Sequence, residues 1–131
     1  MFRLDKRKIF LLYQHCLLDR INSEEGEEES IKNIERITWF NNCLEKEKFF
    51  SEKIAKKLKV GWEFYRLPPL EKAILIYACY ELFSEQNSKY VKLIIDQVIN
   101  FSKVYLEEIK YKYINKVLDL LIKEEKNTSV I

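Results

Sequence analysis

Over 131 residues the chain contains only two glycines, Gly26 and Gly61, and only two prolines, the adjacent Pro68 and Pro69. A fold of many short strands needs turn residues at every connection, and this chain does not have them. Helices joined by a few polar connections are what such a sequence can build. With 47% hydrophobic residues there is enough apolar surface for one sizeable core. The expectation is a single all-α domain spanning 1–131, a compact bundle of about six to seven helices.

Apolar spacing places those helices. Ile9, Leu12, Tyr13, Cys16 and Leu17 recur at three-to-four intervals and predict one amphipathic helix from Phe2 to Ile21. Residues 22–30, with Glu24, Glu25, Glu27, Glu28 and Glu29 around Gly26, can bury nothing apolar and read as an acidic loop. Ile31 to Leu44 and Phe49 to Val60 form two further segments, joined near Glu45 to Lys48. Pro68 and Pro69 start the next helix, since proline fits a first turn whose amide would be unpaired anyway. That helix runs to Leu82. Asn87 and Ser88 are good amino-terminal caps for a helix through Tyr105, and a last helix covers Ile109 to Lys123, with 127–131 expected to fray.

Several chemistries find no residues to carry them. The net charge of +2 comes from 23 basic and 21 acidic residues nearly cancelling, so whole-chain charge names no partner. His15 is the only histidine and no nucleophile signature surrounds it; the simplest reading is a polar residue at the edge of the first helix. Neither paired cysteines nor a zinc-binding helix motif occurs, and the isolated glycines cannot form a phosphate-cradling loop. No catalytic residue, metal or cofactor is assigned. Cys16, Cys43 and Cys79 are odd in number, widely spaced and set among apolar neighbours, which suits buried thiols in a reducing cytoplasm. No apolar run is long enough to cross a membrane, and the opening residues lack the pattern of an export signal, so neither membrane spanning nor export is expected.

Local charge says more. Arg3, Lys6, Arg7 and Lys8 make the first helix basic at its start and form a candidate grip on phosphates; an equally simple reading is a helix start kept soluble. Lys53, Lys56, Lys57 and Lys59 read as a solvated face. Tyr111, Lys112 and Tyr113 interleave rings and charge at a helix start, a pattern that suits base stacking with a phosphate contact, as well as a core tyrosine.

Four stretches together carry a family resemblance. WEFYRLPPLEKAILIYACYEL at Trp62 to Leu82, IDQVINFSKVY at Ile95 to Tyr105, KYINKVLD at Lys112 to Asp119 and LLYQ at Leu11 to Gln14 resemble, in order and spacing, the motifs of the NusB family. The match covers most of the chain and is weakest between Asn22 and Phe50.

That resemblance implies two packed three-helix subdomains. It implies a non-enzymatic adaptor in transcription antitermination on ribosomal RNA operons, which binds boxA-like single-stranded RNA and pairs with the small-subunit ribosomal protein that doubles as NusE. The pair joins the RNA polymerase antitermination complex, and neither DNA nor a membrane is expected as partner. Carried over residue by residue, Arg3, Lys6, Arg7, Lys8, Lys112 and Tyr113 fall at RNA-binding positions, and Glu71 and Tyr80 at partner-binding ones. The chain departs from the family's pattern at Asp5, Ile76, Ile109 and Lys116, positions that bear on RNA recognition, while the apolar positions are kept. The alternative is a NusB-fold protein–protein interaction module that has lost sequence-specific RNA binding. A third reading, the RNA-targeting region of a ribosomal RNA methyltransferase, would need a catalytic domain on another chain.

Overall fold

The computed structural model describes residues 2–17, 31–58 and 64–130; the expected acidic loop 22–30, Lys59 and residue 131 lie outside them, as do the helix ends expected at Ile21 and Val60. Six α-helices run in order: α1 Lys6–Leu17, α2 Ile31–Glu45, α3 Glu47–Ala55, α4 Pro69–Leu82, α5 Val91–Tyr105 and α6 Glu108–Val130. Short 3-10 turns at Phe64–Arg66 and Glu85–Tyr90 precede α4 and α5. The all-α bundle expected from turn-residue scarcity is what forms, and among the described residues no strand occurs.

The centre of the bundle is α4, which meets α1, α3, α5 and α6. Its sequence explains why. From Ala73 to Cys79 every residue is buried, so this helix is apolar on all sides and needs neighbours all round. The other helices bring stripes to it: Ile9 and Leu12 from α1, Phe50 and Ile54 from α3, Ile94, Val98 and Phe101 from α5, and Ile114, Val117, Leu118 and Leu121 from α6. Each such side chain contributes about 1.5–3 kcal/mol on leaving water. Helices α4, α5 and α6 contact one another, while α1, α2 and α3 form a chain of contacts seated on α4, chiefly through α1. Aromatic rings seat α2, with Trp39 against Tyr77 and Tyr80 of α4 and Phe40 edge-on to His15 of α1.

Helix boundaries depart from the sequence expectation in four places, one of them the third segment, expected to run to Val60, whose helix α3 ends at Ala55 with Lys56 as its C-cap. The first helix starts at Lys6, not Phe2. Asp5 caps it, its Oδ1 accepting the Arg7 amide hydrogen at 3.0 Å. The residues before it are held by distant side chains: the Leu4 amide donates to Gln97 Oε1, Gln97 Nε2 donates to the Phe2 carbonyl, and the Asp5 amide donates to the Tyr77 hydroxyl. Asn87 does not cap α5. Its Nδ2 donates back to the Glu81 carbonyl and carboxylate, closing the end of α4, and α5 starts at Val91. The last helix continues through 127–130, beyond the Lys123 limit read from its apolar spacing.

Candidate nucleic-acid interface

The basic start of α1 divides in two once its helical register is fixed. Arg3, Lys6 and Arg7 are exposed. Lys8 turns inward, its ammonium 4.9 Å from the centre of the Trp39 ring. There it also faces the buried carboxyl of Glu81 and partly offsets the rise in that group's pKa caused by burial. Sequence alone groups all four cations. Helical geometry, at about 100° per residue, sets Lys8 apart.

From this turn the surface leads to the α5–α6 corner. One turn along α1, the Phe10 ring lies 5.9 Å from Phe101 and 6.1 Å, edge-on, from Tyr105. Tyr105 ends α5, and only Leu106 and Glu107 separate it from the start of α6. The corner exposes apolar surface: Val104 is 74% exposed, Tyr105 47% and Ile109 73%. Lys103 places its ammonium 5.7 Å from the Tyr111 ring centre. Apolar spacing does not single out Val104 or Ile109 as a surface feature, because both lie just off the buried stripes of their helices.

At the head of α6, Lys112 is exposed and paired with Glu108 one turn earlier. The hydrogen bond to Lys112 lowers the pKa of Glu108 and raises that of Lys112, so both are charged at neutral pH. Tyr113 is half-buried and packs against the core, so only part of its ring faces outward.

The two candidate partner-binding residues are not brought together. Glu71 and Tyr80 stand nine residues apart on α4, about 14 Å along the axis and roughly 180° around it. Glu71 is only 5% exposed, and its Oε2 accepts a 3.0 Å charge-assisted hydrogen bond from Lys110 Nζ at the head of α6. Tyr80 instead joins an aromatic group with Trp39 and Phe50.

Two of the four departures from the family pattern have local explanations. Asp5 is the cap of α1, and Ile76 is buried in the core. Lys116 and Ile109 are exposed. His15 bridges helices, its Nε2 lying 3.3 Å from Glu47 Oε1 of α3. Among the described residues no cluster of His, Cys, Asp or Glu is arranged to hold a metal ion, and no helix is long and apolar enough to cross a membrane.

The described residues thus form an all-helical bundle whose basic first turn is split between surface and interior and lies beside an aromatic corner. Sequence comparison supplies the family. The profile of the NusB family matches residues 8–123, and the chain belongs to that family. It is 35% identical over 111 residues to the transcription antitermination protein NusB of Helicobacter pylori (strain Shi470), covering 82% of this chain and 78% of that one. With the protein of the same name from Helicobacter acinonychis (strain Sheeba) the identity is 36% over 102 residues, 75% of this chain and 71% of the relative. With that of Buchnera aphidicola subsp. Cinara cedri it is 34% over 82 residues, 63% and 56% respectively. No solved structure gives a significant match.

Proposed function

We propose that this protein is a transcription antitermination adaptor that binds boxA-like single-stranded RNA, pairs with the small-subunit ribosomal protein NusE, and so joins the antitermination complex on RNA polymerase. It makes and breaks no bond. The observation that carries this reading is family membership over residues 8–123, in a chain whose exposed Lys6 and Arg7 lie one helical turn before Phe10, the ring that packs against the aromatic corner leading into α6. Arg3, Lys6 and Arg7 hold phosphates, Lys112 adds a contact, and the outward part of Tyr113 meets a base. The ribosomal protein docks at the head of α4, where the partly exposed Lys110, held in place by the buried Glu71 carboxylate, offers the contact.

The test is RNA binding by gel shift with boxA-like RNA, with and without the ribosomal protein, over a range of salt. Replacing Lys6 and Arg7 with glutamine should reduce the log–log salt slope by about 1.4, at about 0.7 per lost phosphate contact on a single strand. An unchanged slope removes them from the site. The exposed apolar side chains of Val104 and Ile109 favour a second reading, in which the corner is covered by protein and the chain is a protein–protein module without sequence-specific RNA binding. Absence of any RNA shift, alone or with the partner, would select it.

A further inference from the structure

At the carboxyl end of α4 an aromatic cleft of about 740 Å³ opens between α3 and the 3-10 turn before α5. Its walls are Phe49, Phe50, Tyr80 and Phe83, and Phe49, a large apolar residue in the first turn of α3, is 54% exposed. Among the described residues the one charged side chain lining the cleft is Lys46, with its ammonium 5.8 Å from the Tyr80 ring centre. Lys53 adds a second cation at the rim, 5.1 Å from the centre of Phe49 and 5.8 Å from that of Phe83. The cleft is thus greasy inside and positive at its edge.

We propose that this cleft docks a short acidic segment of a partner protein, anchored by one aromatic or long aliphatic side chain. The ring geometry argues for a peptide over a nucleobase. Phe50 and Tyr80 meet at 85° and Phe49 and Phe50 at 54°, while Phe50 and Phe83 lie within 30° of parallel, so the walls form a cup with one near-parallel pair and no single flat platform. A hydrophobic knob fills a cup, and flanking carboxylates complement Lys46 and Lys53. Tyr80 therefore serves a binding surface different from that of Glu71, and the proposal does not rest on the RNA reading.

The experiment is selection from a phage-displayed random dodecapeptide library on the immobilised full chain, followed by affinity measurement with the enriched peptides. Enriched sequences should combine several Asp or Glu residues with a Phe, Trp or Leu. Their affinity should fall about tenfold or more in Phe49→Ala and in Lys46→Glu, as expected when an anchor or its charge partner is lost. Both side chains are exposed, so thermal melts should show either variant folded. The Lys6→Gln/Arg7→Gln double variant should bind the peptides unchanged. Failure to enrich peptides, enrichment of neutral or basic ones, or binding indifferent to both cleft variants would overturn the proposal. So would single-stranded RNA whose affinity drops tenfold in Phe49→Ala, which would make the cleft a nucleic-acid site.

Discussion

The Tyr77 hydroxyl accepts the Asp5 amide hydrogen at 3.1 Å and also hydrogen-bonds to the Glu81 carboxylate. One phenol in the central helix thus fixes both the chain leading into α1 and a buried acid. Tyr77→Phe keeps the ring and leaves both partners short of a bond. We expect a loss of about 1–3 kcal/mol in urea unfolding, the range for polar groups left unsatisfied on burial. Faster hydrogen exchange at the Asp5 amide should accompany it, and an unchanged midpoint would show the bond to be dispensable.

Glu81 itself predicts a pH dependence. Burial raises its pKa above the ordinary 4.5, with Lys8 and the bonds from Tyr77 and Asn87 opposing the rise and Asp5 adding to it. A carboxyl whose folded pKa lies above its unfolded value favours the folded state most when protonated. That contribution is present below about 4.5 and is lost as pH rises through the folded value. Glu81→Gln keeps an acceptor for Tyr77 and carries no charge. The stability of the wild type relative to Glu81→Gln should therefore fall as pH climbs from about 4.5, and a flat difference curve would contradict the assignment.

The split of the basic turn gives opposite phenotypes to neighbouring residues. Lys8→Met removes a cation held over Trp39 and facing Glu81, so stability should drop by about 0.5–2 kcal/mol. The salt slope of RNA binding should stay as in the wild type. Lys6→Gln and Arg7→Gln, on exposed side chains, should do the reverse. A Lys8 variant that flattens the slope would place that ammonium on phosphate.

Much of this architecture is legible in the sequence because the signals are local. Apolar spacing locates α5 and α6, and Pro69 at the first turn of α4 is marked by its fixed backbone angle. What cannot be read depends on partners far along the chain. Phe2 to Asp5 fit a helical pattern until Gln97 and Tyr77, more than 70 residues away, claim their backbone groups. Asn87 has the chemistry of a cap for α5, yet its amide faces the carboxylate of Glu81 before it. The candidate site is legible as a list of cations but not as a surface. The inward turn of Lys8 depends on Trp39, 31 residues away in the sequence, and the burial of Glu71 depends on Lys110, 39 residues away.

Thiol reactivity should track burial. Cys43 and Cys79 are buried, and burial pushes the Cys43 thiol up to about 12 and raises that of Cys79 as well. Thiolate is the reactive form, so neither should react appreciably at pH 8 in the folded protein. Half-buried Cys16 should be alkylated first by iodoacetamide. Mass spectrometry should find one label on the native chain and three in urea; early labelling of Cys43 would mean that the α2–α4 contact opens readily.

The pair formed by Lys110 and Glu71 joins the heads of α6 and α4 at 3.0 Å, with the Glu71 side chain 7% exposed and that of Lys110 36%. The carboxylate is the more buried member, so it suffers more when the pair is broken. Lys110→Met retains the aliphatic stem and leaves Glu71 charged and unpaired, which should cost about 1–3 kcal/mol. Glu71→Gln alone should cost less, because a neutral amide can still accept from Lys110. In Glu71→Gln/Lys110→Met no buried charge remains, and much of the lost stability should return. A double-mutant cycle by chemical denaturation measures this coupling directly, and strict additivity of the two changes would show that the pair contributes nothing beyond its parts.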